Sequence, residues 1–209
     1  PEEEVQIESL RAGMDKLVED LNICSQKGLA ERFDATIGSG TVCMPFGGKY
    51  QMTPSQAMAA KIPVLDGETD TASLMAYGYD PELSSLSPYK GAMAAVIEAM
   101  SKLVAAGIDP KHAWLSFQEY FGRTGDNPEK WGKPFAALLG ALKAQAELEV
   151  AAIGGKDSMS GTFEDIDVPP TLIAFAVSTA KASHIITNEW KAKDHYIYAV
   201  MPEYDENGI

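Results

Sequence analysis

The chain has 209 residues, of which 45% are hydrophobic and 22% charged, a composition that excludes a disordered protein. Its 17 basic and 30 acidic residues give a net charge of −13, which disfavours nucleic acid or an anionic membrane as a partner. The sequence has no apolar run approaching the roughly 20 residues of a membrane span. Two cysteines, Cys24 and Cys43, are too few for a disulfide framework, so we expect a reduced, cytoplasmic location.

The first half of the chain alternates helical and extended patterns. Apolar residues at helical spacing predict a leading helix over residues 4–21. Thr53-Pro54-Ser55-Gln56 has the pattern of a helix start and predicts a short helix to about Lys61. Residues 69–76 suit a strand with one polar face, and 77–89 read as a loop.

The second half contains the strongest element signals. A helix is predicted over about 88–106, a strand over 113–120, and a second amphipathic helix that ends near Leu148. The core-facing stripe of that second helix is predicted to be Phe135, Leu138, Leu139 and Leu142. Strands are predicted over 150–153, which we expect to be buried, over 171–179, buried on both faces, and over 195–201. This order indicates an α+β fold, with helices packed on one face of a mixed sheet.

Two glycine-bearing segments could hold an anion. The first contains Gly38, Gly40, Gly47 and Gly48, and a plain turn between short strands explains it equally well. The second runs from Gly154 to Gly161 and combines glycines, Lys156, Asp157 and two serines. Backbone N–H groups and a lysine there could hold a phosphate or a carboxylate, which we favour over a tight turn.

Acidic residues offer two possible metal ligand sets. Asp66, Glu68 and Asp70 alternate, so an extended chain would place them on one face, where oxygen ligands suit Mg²⁺; a solvated strand end is the alternative. Glu98 lies in a stretch of small apolar residues and needs a cation or a metal as its partner. Lys102, four residues later, supplies an ordinary helix pair that would suffice.

One segment carries a specific family resemblance. Ile153-Gly-Gly-Lys-Asp-Ser-Met-Ser-Gly161, followed by residues 167–177, resembles the large, single-chain phosphoribosylformylglycinamidine synthase family, also called formylglycinamide ribonucleotide amidotransferase. Weaker matches follow the same order and extend the resemblance over about residues 22–201; they lie at 49–52, 62–66, 71–74 and 95–101.

The resemblance implies a fold, an activity and a place in a longer enzyme. The family makes formylglycinamidine ribonucleotide from formylglycinamide ribonucleotide, glutamine and ATP in purine synthesis. This chain resembles the N-terminal domain of the second of two halves that are related to aminoimidazole ribonucleotide synthetase. On that basis we predict a leading helix and connector over 1–30, the synthetase-like α+β domain over 31–182, and a connector with the first strand of a following domain over 183–209.

The resemblance also implies partners. We expect the domain to pack on its sister synthetase-like domain, glutamine to be handled by a glutaminase domain outside this chain, and the fragment alone to be inactive. An isolated fragment would expose the sheet face that meets the sister domain, which predicts a possible homodimer.

Site residues are implied in the same way. The family positions that match Asp66 and Glu98 bind Mg²⁺ beside ATP or ADP, and the position that matches Leu65 contacts the nucleotide. We add Lys156, Asp157 and Ser158 as nucleotide-binding residues. A further family ligand is an asparagine, which Lys102 replaces here, and an ammonium cannot bind a metal. The alternative function is a non-catalytic scaffold that holds an auxiliary structural nucleotide.

Overall fold

The structure is a computed structural model that describes residues 8–33 and 40–201, so Gly38 and the last eight residues lie outside it. The helices of the described chain are α1 (Leu10–Glu19), α2 (Lys27–Phe33), α3 (Pro81–Leu86), α4 (Pro88–Ala105) and α5 (Pro128–Leu148). The strands are β1 (Thr41–Cys43), β2 (Phe46–Gly47), β3 (Thr53–Pro54), β4 (Ala57–Lys61), β5 (Thr71–Gly78), β6 (Trp114–Tyr120), β7 (Ala152–Lys156), β8 (Thr162–Phe163), β9 (Ile166–Asp167) and β10 (Thr171–Lys181).

Six of these strands form one mixed sheet in the order β1-β4-β5-β10-β6-β7. Its neighbours pair antiparallel except β6 and β7, which are parallel and are joined through α5. The small hairpins β2–β3 and β8–β9 stand apart from it. The α+β class with a mixed sheet is therefore confirmed.

The core lies between this sheet and α4. Alternate residues of β5 and β10 face the helix and are almost fully buried: Ala72, Leu74, Ala76, Leu172, Ala174 and Ala176. A Cβ atom at Gly78 would overlap the carbonyl oxygen of Ala95, so the end of β5 can touch α4 only because residue 78 is glycine. Strand β10 accordingly buries one face fully and the other only in part, which corrects the expectation that both faces are buried.

The other side of the sheet, which we call the open sheet face, carries large apolar side chains. Met58, Tyr77 and Trp114 are 43%, 56% and 47% exposed, and the half-buried Phe175 and Val177 pair beside them. The rings of Tyr77 and Phe175 lie 6.5 Å apart. No described helix covers this face, as we expect of a surface that meets another domain.

Helix α5 buries the face opposite to the one that the sequence predicts. Its large residues Phe135, Leu138, Leu139 and Leu142 are exposed, whereas the buried face consists of small residues: Ala137, Gly140, Ala141 and Ala144. A Cβ atom at Gly140 would overlap the backbone oxygen of Tyr89, because α5 packs closely against α4. Only small side chains fit so close a contact, and the prediction that the large stripe faces the core is wrong.

Three other local predictions are wrong. The segment predicted as a helix over 53–61 forms β3 and β4, because β4 pairs with β1 and β5. The predicted loop over 77–89 contains α3, which Asp80 caps through the N–H groups of Glu82 and Leu83. The predicted strand over 195–201 pairs with no strand of the described chain. The domain boundaries stay a prediction.

Candidate nucleotide site

The segment Gly154–Gly161 is only partly a loop. Residues Gly154, Gly155 and Lys156 belong to β7, an edge strand whose five residues are all exposed, which corrects both the predicted buried strand and the predicted loop start. A Cβ atom at Gly155 would overlap the carbonyl oxygen of Phe117 on β6. The second glycine is therefore needed for strand pairing, and the chain leaves the sheet only after Lys156.

The backbone after Lys156 is held against the end of β6. The Ser158 N–H donates to the Glu119 carbonyl oxygen at 3.1 Å, and the Phe121 N–H donates to the Ser158 carbonyl oxygen at 2.9 Å. The Ser158 and Ser160 hydroxyls lie 2.7 Å apart. The segment is thus a positioned loop that presents hydroxyl groups at the sheet edge.

Lys156 and Asp157 point to opposite sides of the sheet. The Lys156 ammonium lies 5.7 Å from the centre of the Tyr120 ring, on the open sheet face, and forms no ion pair with a described residue. Asp157 is exposed on the side of Glu119 and raises the pKa of that carboxyl. The cation is therefore available to an external anion, whereas the carboxylate next to it faces another acid.

Glu119 is a candidate that sequence reasoning missed. It lies on β6 and is 6% exposed, and its Oε1 atom has no hydrogen-bond partner. Burial, and secondly the charge of Asp157, raises its pKa to about 7. The alternation of Leu115, Phe117 and Glu119 could have revealed it, because that pattern places an acid on the same side of the strand as two apolar residues.

Glu98 is occupied by partners from its own domain. Its Oε2 atom accepts the Tyr79 N–H at 3.0 Å, and its Oε1 atom lies 2.7 Å from the Lys102 ammonium. Lys102 also donates to the Tyr77 carbonyl oxygen at 3.0 Å and lies 4.7 Å from the Tyr77 ring centre. Both carboxylate oxygens are thus used, and the ordinary Glu98–Lys102 pair is present.

Leu65 and Asp66 lie far from Glu98 along the sheet. Both are exposed, in the loop between β4 and β5, and Leu65 is 103% exposed. That loop precedes the first residue of β5, whereas Glu98 contacts Tyr79, just beyond its last residue. Strand β5 is eight residues long, so its two ends lie about 23 Å apart at about 3.3 Å per residue. The structure does not bring these two carboxylates together.

One end of the sheet does gather several candidates. The Tyr79 hydroxyl lies 3.0 Å from the Thr171 Oγ1 atom, and Thr171 pairs with Tyr120 at the end of β6. Tyr120 in turn contacts Lys156. A chain of contacts therefore links the Glu98 region to Lys156 and the loop that follows it.

The first glycine segment does not favour an anion. Gly47 and Gly48 line a cavity of about 210 Å³ together with Cys43 and Glu189. Hydrogen bonds from Lys191 and from Thr187 hold the pKa of the Glu189 carboxyl at about 2, and Lys191 forms an ion pair with this carboxylate. None of the described residues that line the cavity is a lysine or an arginine that could hold an anion. A turn is the better interpretation of these glycines. Cys43 and Cys24 are both free thiols, and burial raises the pKa of the Cys43 thiol.

Residues 8–33 and 40–201 contain neither a cluster of metal ligands nor a membrane-spanning helix. No three His, Cys, Asp or Glu side chains are grouped so that they could hold a metal ion. No helix in those ranges is both long and apolar enough to cross a membrane.

No family model matches this chain, but phosphoribosylformylglycinamidine synthase subunits resemble it in sequence and in fold. The phosphoribosylformylglycinamidine synthase subunit PurL of Picrophilus torridus is 27% identical over 192 residues, which are 88% of this chain and 24% of that protein. The structure of PurLQS from Thermotoga maritima matches with a TM-score of 0.62 at 18% identity. The match covers 78% of this chain and 25% of the Thermotoga maritima chain. PurL of Thermotoga maritima complexed with AMPPCP matches with a TM-score of 0.61 at 18% identity, and the match covers 79% of this chain and 26% of that chain.

The same Thermotoga maritima protein has also been solved with ADP, with ATP and with FGAR. The fold of this chain is thus that of part of PurL, and the chain spans about a quarter of the length of the first relative. The resemblance to the synthase family is confirmed, and the chain is similar in sequence and in fold to part of phosphoribosylformylglycinamidine synthase subunit PurL.

Proposed function

We propose that this chain is the N-terminal domain of the second synthetase-like half of a phosphoribosylformylglycinamidine synthase and contributes a nucleotide site. The whole enzyme would convert formylglycinamide ribonucleotide, glutamine and ATP to formylglycinamidine ribonucleotide in the cytoplasm. The observation that carries the proposal is the segment over 156–158, which backbone hydrogen bonds hold against the end of β6. Its Lys156 ammonium forms no ion pair with a described residue and lies at the same end of the sheet as Glu98. Complexes of Thermotoga maritima PurL with ADP, ATP and AMPPCP support a nucleotide as the ligand.

Lys156 and Ser158 would bind the phosphates. The Lys156 ammonium would provide charge, and the Ser158 hydroxyl would donate a hydrogen bond to a phosphate oxygen. In the whole enzyme, ATP would phosphorylate the amide oxygen of the substrate and ammonia would then displace phosphate. Such chemistry depends mostly on positioning and on charge stabilisation, which a rigid edge strand provides for Lys156.

The proposed Mg²⁺ site does not fit this chain as it is folded. Asp66 and Glu98 lie at opposite ends of β5, and Lys102 occupies one Glu98 oxygen. Binding of one ion by both carboxylates would require the loop over 62–70 to move, so we derive no step through that ion. The assignment of Leu65 to the nucleotide depends on the same loop.

The Lys102 pair also favours the second candidate function, a scaffold that holds an auxiliary nucleotide. Lys102 fills the position of a metal ligand with a charge that is already paired with Glu98, so a nucleotide there would be held without the ion that turnover needs. The large apolar side chains of the open sheet face support packing on a sister domain in either case.

Two measurements test the proposal. Isothermal titration of the 209-residue chain with ADP should show binding, and the absence of binding to the chain and to the full-length enzyme would refute a nucleotide site. Single-turnover ATP hydrolysis in the full-length enzyme with Lys156→Ala then separates the two functions: loss of hydrolysis supports the catalytic site, and unchanged hydrolysis supports the scaffold.

A further inference from the structure

Glu119 is a buried acid for which the fold supplies no hydrogen-bond donor. It shares the helix-facing side of β6 with Leu115 and pairs across the sheet with Leu172, both almost fully buried. The Oε1 atom is inaccessible to solvent and has no partner in the described chain. Because buried polar atoms are nearly always partnered, such an atom calls for an explanation.

A second carboxylate is held close to the first. The hydrogen bond from the Ser158 N–H to the Glu119 carbonyl oxygen fixes the backbone next to Asp157, and the Asp157 charge acts on the Glu119 carboxyl. No described lysine or arginine forms an ion pair with either acid. In the vicinity, Lys130 pairs with Asp167. Two acids this close are costly without a cation.

We propose that Glu119 and Asp157 together bind a hard divalent cation such as Mg²⁺ at the end of β6. The buried carboxylate would supply one charged oxygen ligand and the exposed Asp157 the other, so the ion can enter from solvent. Mg²⁺ usually keeps several waters and takes only one or two carboxylates, which matches a two-acid site.

This site is separate from Asp66 and Glu98 and assigns Asp157 to a cation rather than to a nucleotide. It leaves Lys156 and Ser158 free to bind an anion, because Lys156 points to the open sheet face. The bound ion would hold the Asp157 backbone next to those two residues. The proposal therefore does not depend on nucleotide binding, and it can be tested without nucleotide.

Mn²⁺, as a paramagnetic probe for Mg²⁺, provides the test. Electron paramagnetic resonance titration of the 209-residue chain should detect one bound Mn²⁺ that excess Mg²⁺ displaces. Glu119→Gln and Asp157→Asn should each weaken binding by about tenfold or more, since each removes a charged ligand. Glu82→Gln is the matched control, because it removes an exposed carboxylate on α3 that belongs to neither proposed site and should leave binding unchanged.

Three results would overturn the proposal. The first is no Mn²⁺ binding by the parent chain at concentrations up to about 1 mM. The second is equal Mn²⁺ affinity in the parent and in Asp157→Asn, a substitution at an exposed residue that carries the test even where Glu119→Gln fails to fold. The third is weakening by Glu82→Gln as strong as that by Asp157→Asn.

Discussion

The Lys102 ammonium and the Glu98 carboxylate form an ion pair of 2.7 Å within α4, and each side chain also makes a hydrogen bond to the backbone at the end of β5. The lysine side chain is only 17% exposed, and it also donates to the Tyr77 carbonyl oxygen. Glu98 receives the Tyr79 N–H on its other oxygen. Two side chains on one helix thus satisfy two backbone groups just where the strand ends.

The first prediction follows from this pair. Lys102→Met keeps most of the aliphatic stem but removes the charge, so Glu98 and the Tyr77 carbonyl oxygen lose their partner. We expect the free energy of unfolding to fall by about 1–2 kcal/mol, less than for a fully buried pair because Glu98 is partly exposed. Urea denaturation measures this change.

Lys143→Met is the matched control. Lys143 forms an i,i+4 pair of 2.6 Å with Glu147, but both side chains are more than half exposed. Its removal should leave the urea midpoint unchanged, as for most exposed pairs. An equal loss in both variants would show that Lys102 does not fasten the strand.

Much of the fold could be predicted from the sequence where local and tertiary signals agree. Helix α4 has Pro88 at its start and Gly107 just beyond its end, and both limits were predicted to within a residue or two. Strands β5, β6 and β10 were predicted because their buried positions alternate or are continuously apolar.

The failures share a physical cause, which is that contact partners are absent from a local pattern. Pro54 and Gln56 indicated a helix, but sheet pairing decided that segment. Large residues indicated the buried face of α5, but a close approach at Gly140 admitted only small ones. At the site, the Glu98–Lys102 pair was predicted as an alternative. Glu119 was missed although its alternation with Leu115 and Phe117 places it on the core side of the strand; only the pairing with β10 shows how deeply it is buried.

The second prediction concerns pH. Burial and Asp157 raise the pKa of Glu119 to about 7 from its ordinary 4.5, so the folded chain holds a proton there that the unfolded chain releases. Stability linked to this group is complete below about pH 4.5 and is lost as the pH rises through 7. In Glu119→Gln, the free energy of unfolding should therefore fall less as the pH rises from about 4.5 to 7, and the variant should be more stable than the parent chain at pH 8.

Urea denaturation at several pH values with a chelator present measures this effect. The chelator removes divalent cations, which would otherwise compete with the proton. Glu82→Gln is a control, because that residue is an exposed acid in the first turn of α3. A parallel pH dependence in the parent and in Glu119→Gln would contradict a raised pKa.

The third prediction concerns the open sheet face. Its large apolar side chains should drive self-association of the isolated chain, most simply as a two-fold dimer. Trp114→Glu should give a monomer, because it places a charge within the interface. Phe135→Glu on α5 is the control, since that residue is 63% exposed on the opposite side. Analytical ultracentrifugation at micromolar concentrations measures the mass of each protein in solution, and a strictly monomeric parent chain would count against the dimer.

The fourth prediction concerns activity. The isolated 209-residue chain should not form the amidine product from formylglycinamide ribonucleotide, ATP and ammonia, because it spans only about a quarter of the related subunits. Product analysis by mass spectrometry checks this. Measurable turnover that disappears in Lys156→Ala would show instead that this one domain is sufficient.

The last prediction concerns Lys156 itself. Its ammonium lies on an exposed edge strand without an ionic partner, so Lys156→Ala should leave the melting temperature almost unchanged. It should weaken ADP binding in the full-length enzyme by roughly ten- to a hundredfold, the value of one charge-assisted hydrogen bond. Isothermal titration measures the affinity, and Lys156→Arg should restore most of it because the charge returns. Full affinity in Lys156→Ala would mean that the segment is only a strand and a turn, whereas a sharp fall in melting temperature with binding intact would show that Lys156 has a structural role.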